Sequence, residues 1–211
     1  MDVQFILSLS IVLPLVAAVI RFRKISKQYY LLILLVVCGF INEMLNFFVF
    51  KNTAPSSNVY SLAEFLIYAF QFRKWNDILT TNSYFYLLIS SAIVFWTVDV
   101  LVLDKLNNYN SFFMIGYPFV LILMAVNQLN FLIVNERRNI LKNTIFIFCI
   151  AIITFYCYKD LAEIFYHYAE TSTTKRMIFS IQTYMNVLFN ILITIAIVCL
   201  PKKRIFIRPL L

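Results

Sequence analysis

Glycine, histidine and charged residues are scarce in this chain. Its 211 residues include two glycines, Gly39 and Gly116, one histidine, His167, and only 13% charged side chains. Short strands joined by tight hairpins need glycine-rich turns, so the sequence argues against a β-sheet protein or a transmembrane barrel. A chain that is 62% hydrophobic is also too apolar for a water-soluble globule. The composition therefore predicts an all-α integral membrane protein.

The familiar catalytic and metal-binding motifs are missing as well. One histidine cannot supply a His-x-x-x-His metal pair, and the sequence has no Gly-x-Ser-x-Gly motif and no glycine-rich phosphate loop. The four cysteines lie inside apolar runs without a Cys-x-x-Cys pair, so we expect them to be buried apolar residues. The sequence thus predicts no metal and no cofactor. It favours a function other than catalysis, although an enzyme is left open.

Seven apolar runs divide the chain. A helix needs about 20 mostly apolar residues to cross a bilayer. The runs lie near 3–20, 29–50, 57–72, 84–103, 111–134, 143–166 and 177–200. The third run is short, but it ends at Arg73 and Lys74, whose stems can reach the interface beside Trp75. Because the connections are too short to fold alone, residues 1–211 are predicted to form a single transmembrane helical domain with no soluble domain.

Basic residues are concentrated in alternate connections. Thirteen of the 18 lysines and arginines follow the first, third, fifth or seventh run. Under the positive-inside rule this predicts an outer amino terminus and a cytoplasmic carboxyl terminus in a bacterial inner membrane. The expected partners are the lipid bilayer, anionic lipid headgroups at the cytoplasmic face and, as a homo-oligomer, further copies of the chain. Direct nucleic-acid binding is not expected, because the cations are spread over four segments.

Several carboxyl groups fall inside the predicted spans. Each lies in the outer half of its run: Glu43, Glu64, Asp99, Asp160 and Glu163. A charged group near the bilayer centre costs at least ~2.5 kcal/mol, so such acids normally face a partner or a water-filled cavity. The sequence therefore predicts an outward-facing acidic pocket. The alternative is that Lys159, next to Asp160, neutralises one acid in a structural ion pair.

Other polar residues share helical faces with these acids. Tyr60 precedes Glu64 by four residues, and His167 follows Glu163 by four. The predicted ligand-binding or cation-binding residues are Glu43, Asn46, Tyr60, Glu64, Asp99, Asp160, Glu163, His167, Gln182 and Asn186. For the amides, plain hydrogen bonding between helices is the competing explanation, at about 0.6 kcal/mol per contact.

Some segments resemble known membrane proteins. Asn42-Glu43 and the later Asn58-Val-Tyr-Ser-Leu-Ala-Glu-Phe-Leu-Ile-Tyr68 resemble a pattern in small uncharacterised seven-helix membrane proteins common in Bacteroidota. That resemblance implies no established activity. Small membrane accessory proteins encoded beside type VI CRISPR nucleases are similar in size and character, which implies a defence role. The intramembrane acids resemble those of lysoplasmalogenase-like hydrolases, which implies cleavage of a lipid.

Two short segments of similar sequence indicate an internal repeat. Cys38-Gly-Phe-Ile-Asn-Glu43 and Cys157-Tyr-Lys-Asp-Leu-Ala-Glu163 each place an acid shortly after a cysteine. Runs one to three would then correspond to runs five to seven. This three-plus-one-plus-three plan resembles small seven-helix transporters and receptors, including sugar and vitamin-precursor carriers. In such proteins the substrate site commonly lies between the repeats.

The sequence is compatible with three functions. The favoured one is handling of a cation or small polar solute in the acidic pocket, as a transporter, channel or receptor. The second is acid–base hydrolysis of a lipid, in which a carboxyl pair activates water. The third is an accessory or effector protein whose oligomer alters membrane permeability.

Overall fold

The computed structural model describes residues 7, 9–49, 53–75, 82–103, 106, 112–135, 140–168 and 172–201. These residues form an all-α structure, as predicted. Its α-helices are α1 Val12–Arg21, α2 Tyr30–Phe48, α3 Ala54–Trp75, α4 Asn82–Thr97, α5 Phe112–Asn135, α6 Thr144–Tyr168 and α7 Ser172–Val198. The first residues of the first predicted run lie outside the described part. A π-helical turn, Val98–Val102, extends α4.

Five segments are long and apolar enough to cross a bilayer. They are Lys27–Phe48, Ser83–Val102, Phe112–Asn135, Thr144–Phe165 and Ser180–Val198, with mean hydropathy between 1.8 and 2.1. The protein is therefore a multi-pass membrane protein. Its apolar surface fits this environment, since large side chains such as Phe48 and Val134 are 70% and 78% exposed.

The most polar helix, α3, packs against three other helices. Helices α2, α4 and α5 pack against it. Its buried residues include Asn58, Ser61, Glu64 and Gln71. Polar groups in hydrocarbon are costly unless they are hydrogen-bonded, which favours placing this helix among segments that supply partners, as Gln28 and Tyr117 do for Gln71 and Glu64. Helix α3 is therefore not among the five apolar segments, although its 22 residues make it as long as they are.

Six helices form a ring, and the fourth lies outside it. Around the ring, α1 contacts α2, α2 contacts α3, α3 contacts α5, α5 contacts α6, α6 contacts α7, and α7 returns to α1. Helix α4 packs mainly against α3 and α5. At one end of the ring, Trp75 lies against Phe148 and Phe72, with ring centroids 5.1 and 5.9 Å apart. This aromatic cluster fills that end of the bundle.

The helix ends that carry basic residues lie together at this same end. Arg21, the last residue of α1, donates hydrogen bonds to the carbonyl oxygens of Ile197 and Leu200 at 3.1 and 3.2 Å. Near the end of α3, the Gln71 amide donates to the carbonyl of Gln28 at 3.0 Å. The cation therefore meets the carbonyl groups that the end of α7 leaves without helical partners.

Replacing Arg21 with alanine should destabilise the protein by about 1–3 kcal/mol, because two carbonyl groups lose a charged donor. The free energy of unfolding in detergent measures this loss. Arg23→Ala is the matched control, since Arg23 is exposed. An equal effect of the two substitutions would show that Arg21 does not hold α1 to α7.

Candidate functional site

A polar cavity of about 560 Å³ lies inside the ring of helices. It lies away from the aromatic cluster, between the second half of α2, the first turns of α3 and α5 and the middle of α6 and α7. Its polar lining residues are Asn42, Glu43, Asn46, Ser57, Tyr60, Ser61, Glu64, Tyr117, Lys159, Gln182, Thr183, Asn186 and Asn190. Five helices thus turn polar side chains towards one space within the membrane-spanning bundle.

Most of the residues selected from the sequence lie on this wall. They are Glu43, Asn46, Tyr60, Glu64, Gln182 and Asn186. The helical spacing explains the grouping, because residues three or four apart share one face of a helix. Thus Glu43 and Asn46 face the cavity from α2, and Gln182 and Asn186 face it from α7.

Asp99 lies elsewhere, which corrects its assignment to the shared pocket. Its carboxylate accepts a hydrogen bond from the backbone N–H of Phe113 at 2.7 Å. It belongs to the π-helical turn after α4, is 1% exposed and satisfies a free donor at the start of α5. The carboxylate therefore joins two helices instead of lining the cavity.

On α6 the polar residue that lines the cavity is Lys159, and the acids that follow it do not line it. Asp160 and Glu163 are partly buried but are not among the lining residues. One helical position rotates a side chain by about 100°, so the turn that directs Lys159 inward points Asp160 to another side. His167 falls within α6, but its side chain lies outside the described residues.

Glu64 is the centre of a hydrogen-bonded network. Its two carboxylate oxygens accept hydrogen bonds from the hydroxyl groups of Tyr60 at 3.2 Å and Tyr117 at 2.8 Å. The Lys159 ammonium donates to the Tyr117 hydroxyl and lies 4.8 Å from the centroid of that ring. The sequence suggested Lys159 as a partner for Asp160. In the structure the lysine also reaches Glu64, through the Tyr117 hydroxyl.

Glu43 differs from Glu64 in its hydrogen bonding. Within the described part of the chain, no side chain or backbone group donates a hydrogen bond to its carboxylate. One turn further along α2, the buried amide oxygen of Asn46 also has no hydrogen-bond partner there. The cavity wall therefore carries neighbouring acceptors that a ligand with N–H groups would satisfy.

Gly39 makes room for this network. A Cβ atom at this position would lie 3.0 Å from Cδ1 of Ile11 and 3.1 Å from the Tyr60 hydroxyl. Glycine thus lets Tyr60 reach Glu64. Sequence reasoning missed Gly39 and Tyr117 because each lies within a continuous apolar run, where no polar periodicity marks it.

Comparison of the chain with protein-family models, curated proteins and solved structures finds no match. The resemblances drawn from the sequence therefore stay predictions. Among the described residues, no group of three histidine, cysteine, aspartate or glutamate side chains is placed to hold a metal ion.

The network predicts that Glu64 and Lys159 are energetically coupled. Glu64→Gln or Lys159→Gln alone leaves the other charge poorly compensated in a buried site, whereas the double substitution removes both charges. We expect the double variant to be more stable than the sum of the single effects by about 1 kcal/mol or more, measured as the free energy of unfolding.

The control pair is Glu64→Gln with Lys24→Gln, because Lys24 is an exposed residue at the other end of the bundle. Those two effects should add within about 0.5 kcal/mol. If the changes in unfolding free energy for Glu64→Gln and Lys159→Gln simply add, the two charges are not coupled through Tyr117.

Proposed function

We propose that this protein binds a small polar solute carrying a positive charge in its polar cavity, as a transporter, channel or receptor of a bacterial inner membrane. The observation that carries the proposal is a pair of acceptors on α2 to which no described group donates a hydrogen bond, the buried Asn46 amide oxygen and the partly buried Glu43 carboxylate. Buried acceptors normally have a hydrogen-bond donor, so a ligand with N–H groups would supply the donors that this part of the wall lacks.

Charge supports a cationic ligand. The cavity wall carries two carboxylates, Glu43 and Glu64, and one ammonium group, Lys159. Glu64 is already engaged by two tyrosines, one of which is bound to Lys159. Glu43 therefore supplies a negative charge that the described residues do not neutralise. A positively charged group beside it would recover the energy that an isolated carboxylate loses in a membrane protein.

The size of the cavity supports a small organic solute. Pockets for such ligands usually measure about 300–1,000 Å³, and this one measures about 560 Å³. The amides of Gln182 and Asn186 lie on the wall contributed by α7. They offer both donors and acceptors, which suits a ligand with further polar groups.

In this proposal the chain crosses the membrane seven times and its amino terminus lies outside. Helix α3 has 22 residues and is therefore ~33 Å long, enough for a hydrocarbon core of ~30 Å. The basic helix ends lie opposite the cavity. Under the positive-inside rule they face the cytoplasm, and the cavity then opens to the outside. The described residues offer no comparable observation in favour of a lipid hydrolase or a membrane-permeabilising effector.

The proposal predicts binding of small organic cations that weakens on acidification. Purified protein is screened by thermal unfolding against methylamine, choline, neutral amino acids, and an uncharged sugar. A ligand at 100 times its Kd should stabilise the protein by about 2.7 kcal/mol. Because protonation removes the negative charge of Glu43, the shift in Tm for a cation should shrink as pH falls from 8 to 5.

Glu43→Gln should remove both the cation-dependent shift and its pH dependence, while keeping the size of the side chain. His167→Gln tests whether the histidine causes the pH dependence, which should stay in place. A shift equally large for the uncharged sugar, or a pH dependence that disappears only with His167→Gln, would reject Glu43 as the cation-binding group.

A further inference from the structure

A second cavity, of about 570 Å³, lies on the flank of the bundle between α4, α3 and α5. We call it the flank cavity. Its wall is formed mainly by Phe65, Leu87, Leu88, Phe95, Phe113 and Val120. It is distinct from the polar cavity, and its ligand would be of a different chemical class.

The flank cavity has an apolar wall, and the few polar groups on that wall already have hydrogen-bond partners. The polar groups on its wall belong to Ser91 and Tyr117. The Ser91 hydroxyl donates to the carbonyl of Leu88 at 2.9 Å, and the Tyr117 hydroxyl donates to Glu64 at 2.8 Å. Since both donors are already used, the wall has little to offer water, and apolar cavities of this kind stay dry.

The space is large and opens towards lipid. An apolar cavity of about 150 Å³ is enough to bind benzene, and this one is several times larger. Its floor is enclosed, with Phe65 and Phe113 each 1% exposed, whereas Leu87 and Phe95 are 68% and 44% exposed at its mouth. The wall residues on α4 and α5 belong to the membrane-spanning segments Ser83–Val102 and Phe112–Asn135. The medium at the mouth is therefore hydrocarbon.

Gly116 keeps this space open. A Cβ atom at Gly116 would lie 3.2 Å from Cε1 of Phe95, so a side chain there would displace the ring or enter the cavity. Only two glycines occur in the chain, and the other, Gly39, lies on the wall of the polar cavity.

We propose that the flank cavity binds an acyl chain of a membrane lipid. An acyl chain is apolar, narrow and flexible, and it is the molecule that surrounds this opening in a bilayer. Filling the cavity restores the dispersion contacts that its lining would otherwise lack. The headgroup remains outside, because the wall carries no free polar group to receive it. This site does not depend on the solute proposed for the polar cavity.

The test uses the full chain reconstituted in phosphatidylethanolamine–phosphatidylglycerol vesicles. These contain a trace of phosphatidylcholine with a photoactivatable diazirine in one acyl chain. After irradiation, mass spectrometry maps the adducts. Adducts on Phe65 and Phe113 are expected, since an acyl chain can reach these enclosed residues only by entering the cavity. Phe72 and Phe148, also 1% exposed but in the aromatic cluster, should remain unlabelled.

Two substitutions fill the cavity from opposite walls, Gly116→Leu from α5 and Ala92→Phe from α4. Each should reduce labelling of the floor at least fivefold. Val94→Phe is the matched control, because Val94 is 61% exposed on the same helix and is not a wall residue. It should leave floor labelling unchanged.

Adducts confined to exposed side chains in the unsubstituted protein would overturn the proposal, as would undiminished floor labelling in both filled variants. The adduct map of the unsubstituted protein decides the matter even if a filled variant fails to fold.

Discussion

Compensation of the Glu64 charge is the constraint around which this bundle is arranged. Glu64 is 7% exposed in a helix surrounded by membrane-spanning neighbours, where an unpaired carboxylate would be very costly. Tyr60 comes from the same helix, Tyr117 from α5 and Lys159 from α6. These groups can meet because α3 packs beside α5 in the ring and α5 packs beside α6. The apolar helices are thereby left to face lipid.

Five apolar spans and the polar face of α3 could be predicted from the sequence, because hydropathy and helical spacing are properties of a single chain. Tyr60 and Glu64, four residues apart, fall on the cavity as their period indicates. The partner of a buried charge depends on which helices are neighbours, and this a single sequence does not reveal. Asp99 therefore looked like a pocket residue, although it binds the start of α5.

Tyr117 illustrates the same limit. It lies between Gly116 and Pro118 in an apolar run, so nothing local marks it as the group that links Lys159 to Glu64. Its spacing also gives no indication that it separates two cavities. The hydroxyl belongs to the polar network, while the ring stacks on Phe113 with centroids 5.4 Å apart. One aromatic residue thus divides a polar site from an apolar one.

In the proposed function, the polar cavity is open to the outside and attracts cations. The most direct measurement is the rate at which a cysteine at Asn186 reacts with membrane-impermeant thiol reagents in intact cells. The background lacks the four native cysteines, Cys38, Cys149, Cys157 and Cys199. A cationic methanethiosulfonate should react several-fold faster than an anionic one of similar size, and Glu43→Gln should reduce that preference. Arg23→Cys, at the basic end, should stay protected until the cells are opened. No reaction at position 186, or a faster reaction with the anionic reagent, would contradict an outward-facing cation site.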